Sequence, residues 1–179
     1  MSNRRKIFER WICALSLAML LAIAARAPEA LAATASSSFT VTGNVVANCS
    51  INAAGPTVAY DPVGANTSAN ATGTGTVTIA CTKGSSPNIG LNAGNNAPAA
   101  AGLTPVAPRA MRLAATGNYL GYDIYWPGTT TAWTTANPYI PSAPTSKAAR
   151  TFNMDTVVYG GQDVTVGTYT DTVTATVNF

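Results

Sequence analysis

The sequence predicts an all-β domain, a sandwich or barrel built from short strands. Three observations carry this. In the last stretch, residues 167–179, Tyr169, Val173, Ala175, Val177 and Phe179 fall on odd positions, while Thr168, Thr170, Thr172, Thr174, Thr176 and Asn178 fall on even ones. That is a period of two with one apolar face, the signature of a half-buried strand rich in β-branched residues. Beyond residue 32 no segment shows a convincing 3.6-residue period. Clusters of Gly, Pro, Asn and Thr recur at short intervals, which places frequent turns between the strands. Asp171 interrupts the apolar row of the last stretch, so its buried part is expected to run from Val173 to Phe179.

The chain begins as an exported protein does. Arg4, Arg5, Lys6 and Arg10 form a basic start, and residues 11–25 are uncharged and mostly Leu, Ala, Ile and Met. Ala30-Leu31-Ala32 then fits a small-x-small cleavage site, so residues 1–32 are expected to be a cleaved signal. The apolar run is shorter than the ~20 residues that span a bilayer, which argues against an anchor. No integral membrane span is expected once the signal is gone. Of the ten Lys+Arg and seven Asp+Glu, five cations and two anions lie in this leader. Lys83, Arg109, Arg112, Lys147 and Arg150 remain against Asp61, Asp123, Asp155, Asp163 and Asp171, a formal charge of zero. Nucleic acid and anionic membrane surfaces need a concentrated basic patch, and none is present. A sparsely charged surface also lacks the repulsion that keeps copies apart, which suits a polymer subunit better than an enzyme.

Residues 33–179 amount to about one domain, long enough for a real core. Their two cysteines, Cys49 and Cys81, are expected to form a disulfide in an exported protein, worth roughly 3–4 kcal/mol by loop closure. The alternatives are a metal pair or a reactive thiol. The chain has no histidine and no C-x-x-C, which counts against both.

In order, residues 34–38 are a small polar run. Phe39, Val41, Gly43, Val45, Ala47, Cys49 and Ile51 then share one face, an alternation longer than the usual strand of about 5–6 residues, with Gly43 as its weak point. A turn follows at 53–56, a short strand at 57–60 and a loop at 63–73. Residues 76–82 read as a strand with Val77, Ile79 and Cys81 inward. Ile89 and Leu91 mark another, and 92–108 a loop. Residues 109–114 read as a strand carrying Met111 and Leu113 on one face. Residues 119–126 place Leu120, Tyr122 and Ile124 on one face, with Tyr119 and Tyr125 on the other. Residues 127–149, with four prolines, form an irregular excursion. Residues 156–159 are a short strand, and the closing strand ends the chain.

Chemistry is scarce. The chain beyond residue 32 has no His and no Glu, and its five aspartates are scattered. General acid–base and triad catalysis need a group tuned near neutrality or a base for the nucleophile, so no enzyme activity is expected. A pair of aspartates brought together in space, as in some glycosidases, is the one catalytic route the inventory leaves open. No cofactor or metal is implied, since no phosphate-loop or calcium-loop spacing appears. Arg109 and Arg112 read either as an anion pair or, preferably, as strand arginines that find carboxylates or water. Among Tyr119, Tyr122, Tyr125, Trp126, Trp133 and Tyr139, Tyr122 and Trp126 are read as core. Trp133, inside the excursion, is the expected exposed ligand contact.

The ordered set of Phe39-x-Val41, Cys49-x-Ile51, Tyr60-Asp-Pro62, Gly75-x-Val77-x-Ile79-x-Cys81 with Gly84, Arg109-x-Met111, Leu120-x-Tyr122-x-Ile124, Val158-Tyr-Gly160, Gln162-Asp163 and the closing alternation resembles the spore coat protein U domain family. That family includes subunits of archaic, Csu-type chaperone–usher pili. Two departures are Val58-Ala-Tyr60, where the family usually has Phe-Gly, and the 127–149 excursion.

The resemblance implies an immunoglobulin-like sandwich of pilin type that lacks one strand, supplied in trans by another chain. A periplasmic chaperone fills the groove first. The N-terminal segment of the next pilin subunit replaces it at the outer-membrane usher, and the fibre reaches the cell surface. On that reading residues 33–45 are a donor segment, with Phe39, Val41 and Val45 as donor side chains, and 46–179 the pilin domain. Val173, Ala175, Val177 and Phe179 form the groove edge. The implied role is a structural fimbrial subunit supporting adhesion and biofilm formation. A spore- or cell-coat protein and a self-contained carbohydrate-binding domain are the alternatives.

Overall fold

The computed structural model describes residues 33–114 and 116–179. The expected signal, residues 1–32, lies outside them. The chain divides into two units, residues 1–43 and 44–179. Residues 33–48 carry no strand or helix. The larger unit holds β1 (Cys49–Ala54), β2 (Ala71–Cys81), β3 (Asn88–Leu91), a one-turn helix α1 (Ala97–Ala100), β4 (Arg109–Leu113), β5 (Tyr119–Tyr125), β6 (Arg150–Val158), β7 (Tyr169–Thr170) and β8 (Ala175–Asn178). It is nearly all-β, as predicted.

The strands form two sheets. Six pair antiparallel in the order β1-β2-β6-β5-β4-β7, and two pair as β3-β8. The predicted alternations supply the core: Val77, Ile79 and Cys81 from β2, Ile89 and Leu91 from β3, and Leu120, Tyr122 and Ile124 from β5 are all buried. Met154 and Val158 of β6 join them. Cys49 and Cys81 are partners in the β1–β2 register and are joined by a disulfide.

Four elements differ from expectation, each for a visible reason. The closing strand is two strands, not one. β7 pairs with β4 in the large sheet and β8 pairs with β3 in the small one, so residues 171–174 are where the chain changes layers. The strand at 156–159 is the end of a nine-residue strand, β6. Residues 150–155 had no assignment, although Phe152 and Met154 alternate toward the core. Strand β2 starts at Ala71, five residues early, through Gly73 and Gly75. These glycines are needed for space. A Cβ on Gly73 would lie 2.6 Å from Val58 Cγ2, and one on Gly75 would lie 2.7 Å from the Ala54 carbonyl oxygen. Their absence lets residues 54–58 cross the inner face of β2 and leave the large sheet. Residues 57–60, expected as a strand, make no ladder at all.

The excursion at 127–149 is irregular, as expected, but it packs onto the core. Residue Tyr139 bridges Ile89 and its ring lies 5.4 Å from that of Trp133 and 5.2 Å from that of Phe152. Trp133, expected to be an exposed contact, is fully buried. Its indole N–H donates to the Ile89 carbonyl at 2.6 Å, so burying the ring leaves no polar atom unpaired. A Thr- and Pro-rich neighbourhood marks irregular backbone and says nothing of depth, which is why the expectation failed.

Candidate functional site

Between residues 53–63 and residues 164–175 runs a groove of about 1010 Å³. Its floor is Met111, Leu120, Tyr122, Ile124 and Met154 of the large sheet, with Leu91 of β3. In its walls, residues 55–63 and 171–174 carry no ladder. One edge of β8 pairs with β3, and among the described residues no strand pairs with the other. The outer edge of β3 is partly covered by the Tyr139 bridge, with Ile89 and Tyr139 exchanging two backbone hydrogen bonds of 2.9 Å. The exposed edge of the small sheet is therefore that of β8. An unpaired edge beside an apolar trough is a template for another strand.

The missing ladder at residues 57–60 follows from the same gap. Val58 and Tyr60 pack against the core, yet the backbone on the groove side has nothing to pair with. Val173, Ala175 and Val177 are half-buried for the same reason, and Phe179 is exposed. Of these four, Val173 and Ala175 line the groove, and Val177 and Phe179 do not.

Asp171 sets the shape of this wall. Its Oδ1 accepts from the Asn95 backbone N–H at 2.9 Å, Asn96 Nδ2 at 3.0 Å and the Thr172 N–H at 2.8 Å. Its Oδ2 accepts from the Tyr122 hydroxyl at 2.6 Å. A Cβ on Gly94 would collide with this carboxylate, and Gly94 has φ +83°, so glycine is required there twice over. Burial, and then the carboxylate beside it, push the Tyr122 hydroxyl above the ordinary tyrosine range and keep it a donor. The lone charge that breaks the apolar row in the sequence is thus the pin at which the chain changes sheets.

The far end of the groove is fastened by Tyr60 and Gln162. The Tyr60 hydroxyl accepts from the Gln162 N–H at 2.9 Å. The buried Gln162 amide accepts from the Gly121 N–H at 2.6 Å and donates to the Gly121 carbonyl at 3.0 Å and the Tyr159 carbonyl at 2.7 Å. Sequence reasoning noted Gln162 only as part of a resemblance. A long-range contact across 41 residues leaves no local signal.

Arg109 takes the preferred of its two readings. It is buried and pairs with Asp123 at 2.5 Å, while its other nitrogens donate to the Asn92 and Trp133 carbonyls. Desolvation pushes the Asp123 carboxyl above its ordinary range, and the Ile124 N–H and Arg109 pull it back. Arg109 is thus the carboxylate-seeking alternative, not an anion site. Arg112 is exposed and donates through Nε to the Thr116 carbonyl at 2.8 Å.

The segment assigned the donor role is exposed throughout. Phe39 is 88% exposed, Val41 83% and Val45 84%.

A model of the spore coat protein U domain matches residues 35–176. The chain belongs to the spore coat protein U domain family. Within that family it is 38% identical over 161 residues to Protein U of Myxococcus xanthus, covering 83% of this chain and 87% of that protein. Among solved structures this spore coat protein U domain is similar to a chain in the CsuC–CsuE chaperone–tip adhesion subunit pre-assembly complex of archaic chaperone–usher Csu pili from Acinetobacter baumannii. The TM-score is 0.53 at 21% identity over 75% of this chain. The chain spans only 40% of the length of that structure's chain. At this identity the likeness concerns the fold, an immunoglobulin-like sandwich of pilin type.

Proposed function

We propose that this chain is a structural subunit of a surface fibre assembled by donor-strand exchange through the chaperone–usher pathway. The observation that carries the reading is the groove itself: an apolar trough bounded by the unpaired edge of β8 and by residues 57–60, which pack but do not pair. A segment of the same sequence has the pattern that fits it, with Phe39, Val41 and Val45 apolar and Thr40, Thr42 and Asn44 polar. Burying three such side chains supplies about 5–8 kcal/mol as an upper bound, besides the main-chain hydrogen bonds. Family membership and the likeness to a chain of a chaperone–pilus subunit complex support the same conclusion.

On this reading the chain is exported to the periplasm and held by a chaperone along Val173, Ala175, Val177 and Phe179. At the outer-membrane usher it then receives the neighbouring subunit's leading segment. The resulting fibre supports adhesion and biofilm formation at the cell surface. No step requires catalysis. A coat protein deposited at the surface is the second reading, favoured by the family to which the chain belongs. Sugar binding through Trp133 loses its support, because that ring is buried.

The deciding experiment is electrophoresis of material sheared from cells that export the chain. Ladders in SDS that collapse to one band on boiling are expected. A single monomer band before boiling would contradict the reading.

A further inference from the structure

One surface cation is held in orientation with its best donors unused. Arg112 is exposed, and its Nε donates to the Thr116 carbonyl at 2.8 Å. That bond fixes the plane of the guanidinium. Among the described residues neither Nη atom has a hydrogen-bond partner, and the only ion pair is Arg109–Asp123. The two Nη atoms at the end of a guanidinium form a planar fork that matches a carboxylate.

The surroundings of this fork are polar and tied together. In the register of the large sheet Arg112 stands opposite Tyr119 of β5 on one side and Thr170 of β7 on the other, so the three side chains share one face. Residues 95–96 lie across the end of that row. The Asn95 N–H donates to Asp171 Oδ1 at 2.9 Å, and Asn96 Nδ2 donates to the Thr170 carbonyl at 3.3 Å. Asn95, Asn96, Arg112, Thr170, Asp171 and Thr172, with one alanine, line a cleft of about 250 Å³. That is smaller than the pockets that take drug-sized ligands and suits a single sugar ring.

We propose that this cleft binds a carboxylated sugar, such as a uronate unit of a polysaccharide, with the carboxylate on the Arg112 fork. Two features of the lining narrow the ligand to this class. The Asp171 carboxylate, held by four donors, is a fixed part of the wall, and its charge opposes a second negative charge on the ligand. A singly charged carboxylate is therefore favoured over a phosphate. The remaining groups are amides and hydroxyls, which pair with sugar hydroxyls and offer nothing to an apolar chain. The assignment names a ligand class for the adhesion in the proposed function, and it does not depend on how copies of the chain are joined.

The test is retention of the full exported chain on beads carrying polygalacturonate, with the fully methyl-esterified polymer as the control. Retention is expected on the acid polymer alone. Free galacturonate should release the chain, and galactose, acetate or inorganic phosphate at the same concentration should not. Arg112→Gln is expected to weaken retention about tenfold or more, the worth of a charge-assisted hydrogen bond. Arg112→Lys keeps the charge without the fork and should recover little of that loss. Lys147→Gln, at another exposed cation, should change nothing. An unchanged urea midpoint shows that each variant is folded. The proposal is overturned by no retention of the unsubstituted chain, by equal retention on the esterified polymer, or by equal release with acetate or phosphate. Full retention by Arg112→Gln or by Arg112→Lys overturns it as well. Unboiled SDS ladders scored on the same samples report on the fibre reading separately, so either can fail while the other stands.

Discussion

Removing residues 33–45 from the mature chain is expected to abolish self-assembly and leave a monomer that still folds and still binds a chaperone. The deleted segment contributes no strand, and its apolar side chains are exposed. The disulfide, the buried core and both sheets lie within residues 46–179. What is lost is the occupant of the groove. If three donor side chains supply about 5–8 kcal/mol, loss of that term weakens assembly by a factor on the order of 1,000 or more. Size-exclusion chromatography and unboiled SDS ladders read this directly. Replacing Phe39 and Val41 with aspartate should act in the same direction, because each introduces a charge that the apolar floor of Met111, Leu120, Ile124 and Met154 cannot solvate. A truncated chain that polymerises as well as the full one would show that the groove takes something else.

Arg109→Met is expected to be the most destabilising single substitution in the core, at about 3–5 kcal/mol near neutral pH. The arginine reaches Asp123 and two backbone carbonyls, and it ties β4 to β5, to the loop after β3 and to the excursion at Trp133. Its removal leaves the Asp123 carboxylate buried without its cation. The carboxyl is already pushed up by burial, so its charged form is the costly one. A folded pKa above the unfolded value means that the stability linked to protonation is present at low pH and falls away as pH rises through the folded pKa. The deficit of Arg109→Met should therefore shrink towards acid pH. Adding Asp123→Asn should recover part of it at neutral pH, since an unpaired buried charge is worse than none. Urea denaturation at several pH values separates these outcomes. A loss that is the same at every pH would mean that packing, not charge, sets the cost.

Much of the sandwich is written locally. The alternations around Val77, Ile89, Leu120–Ile124 and Val177 face one way, and the structure buries or half-buries that face. What local pattern does not encode is where a chain changes layers. Residues 167–179 alternate apart from Asp171, which draws three donors from elsewhere and one from Thr172 and splits the stretch between two sheets. The length of β2 was missed because Gly73 and Gly75 resemble loop residues, although their lack of a side chain is what lets residues 54–58 cross. The burial of Trp133 depends on a carbonyl 44 residues away. The groove had no signature in sequence, since an absent strand leaves no residues to read. Only the resemblance implied it.

The central claim is that another chain's segment completes this fold by lying between β8 and residues 57–60. Amide hydrogen exchange measures that directly, on residues 46–179 with and without a synthetic peptide of residues 36–47. Addition of the peptide should bring strong protection along the two walls, at residues 57–60 and at Ala175 and Val177, whose N–H groups lie on the edge of β8 that faces away from β3. Protection of both walls before the peptide is added, or no change once it is bound, would contradict the claim.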